Sequence, residues 1–189
     1  IVAMTHFGRS GTGLMHSLLD NHSQIATLPS IYLSEFFDNE VWQSLTKNGW
    51  DGLIDQFTTI FSILFDATSK QPIPTQSGKF LQDLGKKEGM ANVGENRDES
   101  LSLDQEAFCH EAQQLLQSQK KVDPRSFLMV IHAAFEKVLE TSTEKKTVFY
   151  HIHCPENFTK LNFLRHVPDA RLIMMIREPI QSCESWIQK

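Results

Sequence analysis

Residues 6–20 read HFGRSGTGLMHSLLD, directly behind the apolar run Ile1-Val2-Ala3-Met4. Gly8, Gly11 and Gly13 crowd into six residues with Arg9, Ser10 and Thr12 between them, and a helical pattern follows. Glycine-rich backbone at a strand-to-helix junction gathers N–H donors and a helix dipole onto one anion. A chain with that junction is directed to an α/β fold that binds its ligand at the carboxyl end of a buried strand.

Two familiar forms of this junction are excluded by particular residues. A nucleotide triphosphatase loop needs Lys and Ser/Thr after its last glycine, to reach the outer phosphates and to hold Mg²⁺. Gly8 and Gly13 have its spacing, but Leu14 and Met15 stand in those places. A dinucleotide fingerprint fits at Gly11 and Gly13 and fails at His16, where its third glycine belongs. What is left is a phosphate-type loop in which Arg9 supplies the cation and Ser10 and Thr12 add hydroxyls.

The remaining elements follow from periodicity. Leu14, Met15, Leu18 and Leu19 form one face of the first helix, and 24–28 is a short second strand. Leu53, Ile54, Phe57, Ile60, Phe61, Leu64 and Phe65 recur at three- and four-residue spacing and predict one amphipathic helix. Residues 66–100 are rich in Gly, Pro, Lys and Asn and read as a long loop. Ser102 and Gln105 form a capping box for the next helix, and Asp123-Pro124 opens another. The last third reads strand (146–152), helix (158–166), strand (171–176) and helix from Pro179. Apolar strands without alternation indicate a parallel sheet covered on both faces. The predicted class is α/β, a P-loop-NTPase-like parallel sheet flanked by helices, with a helical insertion between its second and third strands.

The net charge of -5 argues against a nucleic-acid partner, which calls for a basic surface. No apolar run approaches the ~20 residues that span a bilayer, so no transmembrane segment is predicted. Cys109, Cys154 and Cys183 lack framework spacing, which points to reduced thiols and a cytoplasmic setting. The chain opens in a strand and stops in a helix, so it reads as one domain over 1–189 cut at both ends.

A second stretch, RLIMMIREPIQSCESW, puts Arg177 at the end of a strand and Ser185 eight residues later in the following helix. Together the two stretches, F/G-R-S-G-T and strand-R-x-P-x-x-x-x-x-S, resemble the sulfotransferase family. That resemblance implies the donor 3′-phosphoadenosine 5′-phosphosulfate (PAPS), the product 3′-phosphoadenosine 5′-phosphate, and no required metal. It implies that Gly8, Arg9, Ser10, Gly11, Thr12 and Gly13 hold the 5′-phosphosulfate and that Arg177 and Ser185 hold the 3′-phosphate. Arginine suits both places because its fork spans two oxygens. Residues that clasp the adenosine follow beyond this point in the family.

Sulfuryl transfer also needs a base for the acceptor's proton. In cytosolic members of the family a His-x-Pro segment at this sheet position carries it, and His153-Cys154-Pro155 lines up with that segment. The resemblance therefore makes His153 the catalytic base beside Arg9. His151 is a polar partner on the same strand face, and Glu35 and Glu156 are reserves, since other subfamilies use a carboxylate. Alternation sends Cys154 to the opposite face, and no second Cys/His pair has finger spacing, which disfavours a metal reading.

Residues 30–145 carry no recognised motif and are expected to form the acceptor-binding insertion, with Tyr32, Phe36 and Phe37 as contacts. The acceptor class is a small molecule, lipid or glycan. Two other classes stay open at this point: a nucleotide kinase or phosphotransferase of the same fold, and a non-catalytic nucleotide-binding module.

Overall fold

The computed structural model describes residues 1–6, 9–20, 22–28, 33, 35–69, 71–75, 78–82, 94–140, 144–152 and 157–188. The apolar opening run forms β1 (Val2–His6), which feeds α1 (Thr12–Leu19) and then β2 (Ile25–Thr27). The chain re-enters the same sheet as β5 (Thr147–His151), crosses through α6 (Asn157–His166) into β6 (Arg171–Met175), and finishes in α7 (Pro179–Ile187). All pairings in this sheet are parallel, in the order β2-β5-β1-β6. The expected P-loop-like parallel α/β sheet is therefore present, with the glycine loop at the carboxyl end of a central strand.

Between β2 and β5 lie α2 (Asn39–Thr46), α3 (Leu53–Ile60), a 3-10 turn (Ser62–Leu64), the hairpin β3 (Gln71–Thr75) and β4 (Gly78–Gln82), α4 (Gln105–Gln117) and α5 (Pro124–Val138). Asp123 caps α5: its carboxylate accepts from the Ser126 N–H at 2.9 Å, while the Ser126 hydroxyl accepts from the Asp123 N–H. Phe57, Phe108 and Phe127 of the helices meet Phe36 and Phe61 of the connecting turns in one aromatic core. Ala3, Val148, Tyr150 and Ile152 join that core from one face of the sheet, and Tyr150 donates its hydroxyl to the Leu33 carbonyl at 3.0 Å. Strand alternation turns Phe149 and His151 to the other face, against α1. No helix of the described residues is long and apolar enough to cross a membrane.

Five local expectations are corrected. The inward stripe of α1 is Thr12, Met15, His16 and Leu19; Leu14 and Leu18 point to solvent, 68% and 69% exposed. This face meets the sheet, where His16 lies against Phe149 and His151 of β5. The 53–65 stripe is buried as expected but breaks at Phe61, where φ −106 and ψ 38 leave the helix for the 3-10 turn. The α4 cap is Asp104, accepting from the Ala107 N–H at 3.0 Å, rather than Ser102. Ser102 instead bridges to Asp66 and helps close the base of the 66–102 excursion. That excursion holds an antiparallel hairpin, tolerating Pro72 and Pro74 because residues two apart turn their backbone nitrogens to the same side of a strand. Finally, β6 is an edge strand covered less than predicted, with Leu172 and Met174 exposed.

Candidate active site

The anion loop is shaped by two left-handed residues. Gly11 has φ 85, a conformation open to glycine, and Arg9 has φ 62, an uncommon conformation for a residue with a side chain. The first turn of α1 closes with the Met15 N–H on the Gly11 carbonyl at 3.1 Å. By helix geometry the N–H groups of Thr12, Gly13 and Leu14 then lack acceptors within the helix. A Cβ built on Gly11 or Gly13 would meet nothing within 4 Å, so these glycines border open space. Ser10 and Thr12 are both buried, and the Ser10 hydroxyl has no hydrogen-bond partner among the described residues. An orphaned buried hydroxyl beside helix-start amides that lack intrahelical acceptors fits an anionic oxygen cluster. Gly8 lies outside the described residues.

The second stretch arrives at the same place. Glu178 caps α7 by accepting from the Gln181 N–H at 2.9 Å, and Pro179 occupies its first turn. Arg177, just before this cap, sends Nη1 to the Arg9 carbonyl at 3.3 Å and Nε to Gln181 Oε1 at 3.5 Å. In return Arg9 donates Nη2 to the Ser185 carbonyl at 2.8 Å. Two segments 168 to 176 residues apart are thus cross-linked, and both arginines stand at one end of the sheet.

The histidine segment approaches from the other neighbouring strand. The carboxyl end of β5 runs beside that of β1, where the Ile152 N–H meets the Met4 carbonyl at 2.8 Å. His151 is buried and lies edge-on to His16 of α1, ring centroids 6.2 Å apart. Burial holds the His16 pKa below the ordinary imidazole value, against weaker opposing effects of Asp20 and a backbone hydrogen bond with Leu28. His153, with Cys154, Pro155 and Glu156, lies outside the described residues. Glu35 is half-buried, and its carbonyl accepts the Asp38 N–H at 2.8 Å.

The acceptor contacts divide. Tyr32 lies outside the described residues. Phe36 and Phe37 are core residues, 0% and 3% exposed, and this corrects their placement on an acceptor surface. Phe36 packs on Trp42 and Phe127, and Phe37 on Tyr150 and Phe163. Phe36 thus belongs to the core of the insertion, and Phe37 to its seam with the sheet.

His16 and Gln181 were not anticipated. The spacing of His16, four residues from Thr12 and three from Leu19, held the signal for its inward position. Gln181 carried none, because a glutamine in a helix's first turn has no distinctive spacing. Among the described residues no three His, Cys, Asp or Glu side chains gather as a metal would require.

Comparison with curated proteins and with solved structures returns no match to either. A family-level match covers residues 4–188, both phosphate-type stretches included. With that span and the fold and loop described above, the chain belongs to the sulfotransferase family.

Proposed function

We propose that the protein transfers the sulfuryl group of PAPS to a hydroxyl or amine acceptor by in-line displacement. The observation that carries this reading is the crossed pair of hydrogen bonds, Arg9 to the Ser185 carbonyl and Arg177 to the Arg9 carbonyl. Two separate phosphates on one adenosine call for two cationic positions at one end of the sheet, and these residues offer them. When bound, the donor supplies a sulfuryl group whose S–O bond to phosphate breaks as the acceptor oxygen bonds to sulfur.

In this reading the Gly8–Gly13 loop and the α1 amides hold the 5′-phosphosulfate, and Arg177 with the Ser185 hydroxyl takes the 3′-phosphate. Arg9 neutralises charge growing on the leaving oxygen, so positive charge at the reacting centre comes from the protein. His153 takes the acceptor's proton; support comes from the carboxyl end of β5, which lies beside that of β1. Residues 30–145 form the acceptor side, with Tyr32 as a contact, for a small-molecule, lipid or glycan acceptor. Cysteines without framework spacing suit a reducing, cytoplasmic setting.

The test is calorimetric titration with 3′-phosphoadenosine 5′-phosphate, ATP and NAD. The expected order puts 3′-phosphoadenosine 5′-phosphate first. Preferential binding of ATP with Mg²⁺-dependent turnover would instead make the protein a phosphotransferase.

A further inference from the structure

Arg9 is a non-glycine residue with φ 62, inside the loop whose shape decides where the amides of α1 point. Such a conformation costs free energy and persists where neighbouring groups over-determine it. Two groups do so here, both from the far end of the chain. Arg177 Nη1 donates to the Arg9 carbonyl at 3.3 Å, and the Ser185 carbonyl receives Arg9 Nη2 at 2.8 Å. Arg177 is in turn steered by Gln181, whose Oε1 accepts from its Nε and whose own N–H is held by Glu178.

From this geometry we infer that Arg177 is a positioning residue for the anion loop: it holds the left-handed backbone of Arg9, and so couples the two phosphate positions of the donor. The inference rests on the proposed function for its ligands and on the Arg9–Arg177 contact for its mechanism. A guanidinium with five donors can serve a phosphate and a carbonyl at once. Binding at the 3′ position thereby orders the loop that receives the 5′ group, and the converse holds by reciprocity. Ser185 differs from Arg177 in one respect. It meets Arg9 through its backbone carbonyl, a contact that Ser185→Ala keeps, whereas Arg177→Ala removes the bond to the Arg9 carbonyl.

The first measurement is native-state hydrogen exchange of the amides at 10–14 in the unliganded protein. Arg177→Ala is expected to speed their exchange about three- to tenfold, the worth of one modest hydrogen bond, and Ser185→Ala to leave it unchanged. Arg177→Lys, which keeps a cationic donor on a shorter side chain, is expected to restore part of the protection. Unchanged exchange in Arg177→Ala would overturn the inference, and so would equal acceleration in both alanine variants.

The second measurement uses adenosine 5′-monophosphate, which has no 3′-phosphate, at an ionic strength that screens exposed charges. Arg177→Ala is expected to weaken its binding about three- to tenfold. Equal affinity in wild type and Arg177→Ala would limit Arg177 to the 3′ position and sink the coupling. If the wild-type protein binds neither this nucleotide nor 3′-phosphoadenosine 5′-phosphate, the proposed function fails. The exchange result still decides whether Arg177 shapes the loop.

Discussion

At Arg9 the guanidinium is positioned by α7, through the Ser185 carbonyl, as well as by its own loop. A cation fixed in this way costs little reorganisation when charge develops on a leaving oxygen. Arg9→Ala is therefore expected to weaken donor binding and to lower turnover more strongly, by about 10²–10³-fold. Steady-state kinetics with saturating donor separates the two effects, and lost affinity with an unchanged rate constant would reduce Arg9 to a binding group. The two histidines of the β5 segment should part in a different way. His153→Ala is expected to keep the affinity for 3′-phosphoadenosine 5′-phosphate while cutting turnover about 10²–10⁴-fold. His151 is buried against His16, so His151→Ala should act first on stability and less on turnover. Near-normal turnover in His153→Ala would hand the base's role to Glu35 or Glu156.

Elements announced by strong local signals match the sequence reading. The glycine junction, the Asp123-Pro124 helix start and the apolar third and fourth strands of the parallel sheet each rest on residues within one short window. Asp123→Ala should cost about 1 kcal/mol, read as a shift in the urea midpoint at constant slope. What local windows could not show was decided by contacts between elements. The rotation of α1 follows its contacts with β5, where His16 meets Phe149 and His151. The break at Phe61 follows from docking two apolar segments, 53–60 and 62–65, into one core. Phe36 illustrates the same limit at the candidate site, since an aromatic residue before an unassigned insertion reads alike as ligand surface and as core. Its neighbours settle the matter, and Phe36→Ala should cost about 3–5 kcal/mol of stability in chemical denaturation. The join of Arg9 to Arg177 and Ser185 was anticipated as two subsites of one ligand. Their direct hydrogen bonds were not, because no spacing rule reports a contact between a side chain and a distant carbonyl.

Across the whole molecule, a polar contact ties the insertion to the sheet, and a buried histidine inside the insertion makes stability depend on pH. Lys145 joins them: its amine pairs with Glu136 of α5 at 3.3 Å and donates to the His22 and Ile25 carbonyls around β2. His132 of α5 is buried, 1% exposed, and its Nδ1 donates to the Leu128 carbonyl at 2.8 Å. A carbonyl can only accept, so the proton sits on Nδ1 and a second proton must go to Nε2. That atom is buried without a hydrogen-bond partner among the described residues. Desolvation there pushes the pKa down from 6.5 to about 4. The folded state therefore resists a proton that the unfolded chain accepts. Stability from neutral His132 is complete above the unfolded value of 6.5 and is lost progressively as pH falls from 6.5 through about 4. The loss is about 3 kcal/mol, and His16, lowered by burial as well, adds to it with the same sign. His132→Leu removes the titrating group at similar volume. Urea denaturation of both proteins near neutrality and at about pH 4 should show the wild type losing about 3 kcal/mol more than the variant. Equal acid sensitivity in the two proteins would mean that His132 is hydrated in solution and not sealed in the core.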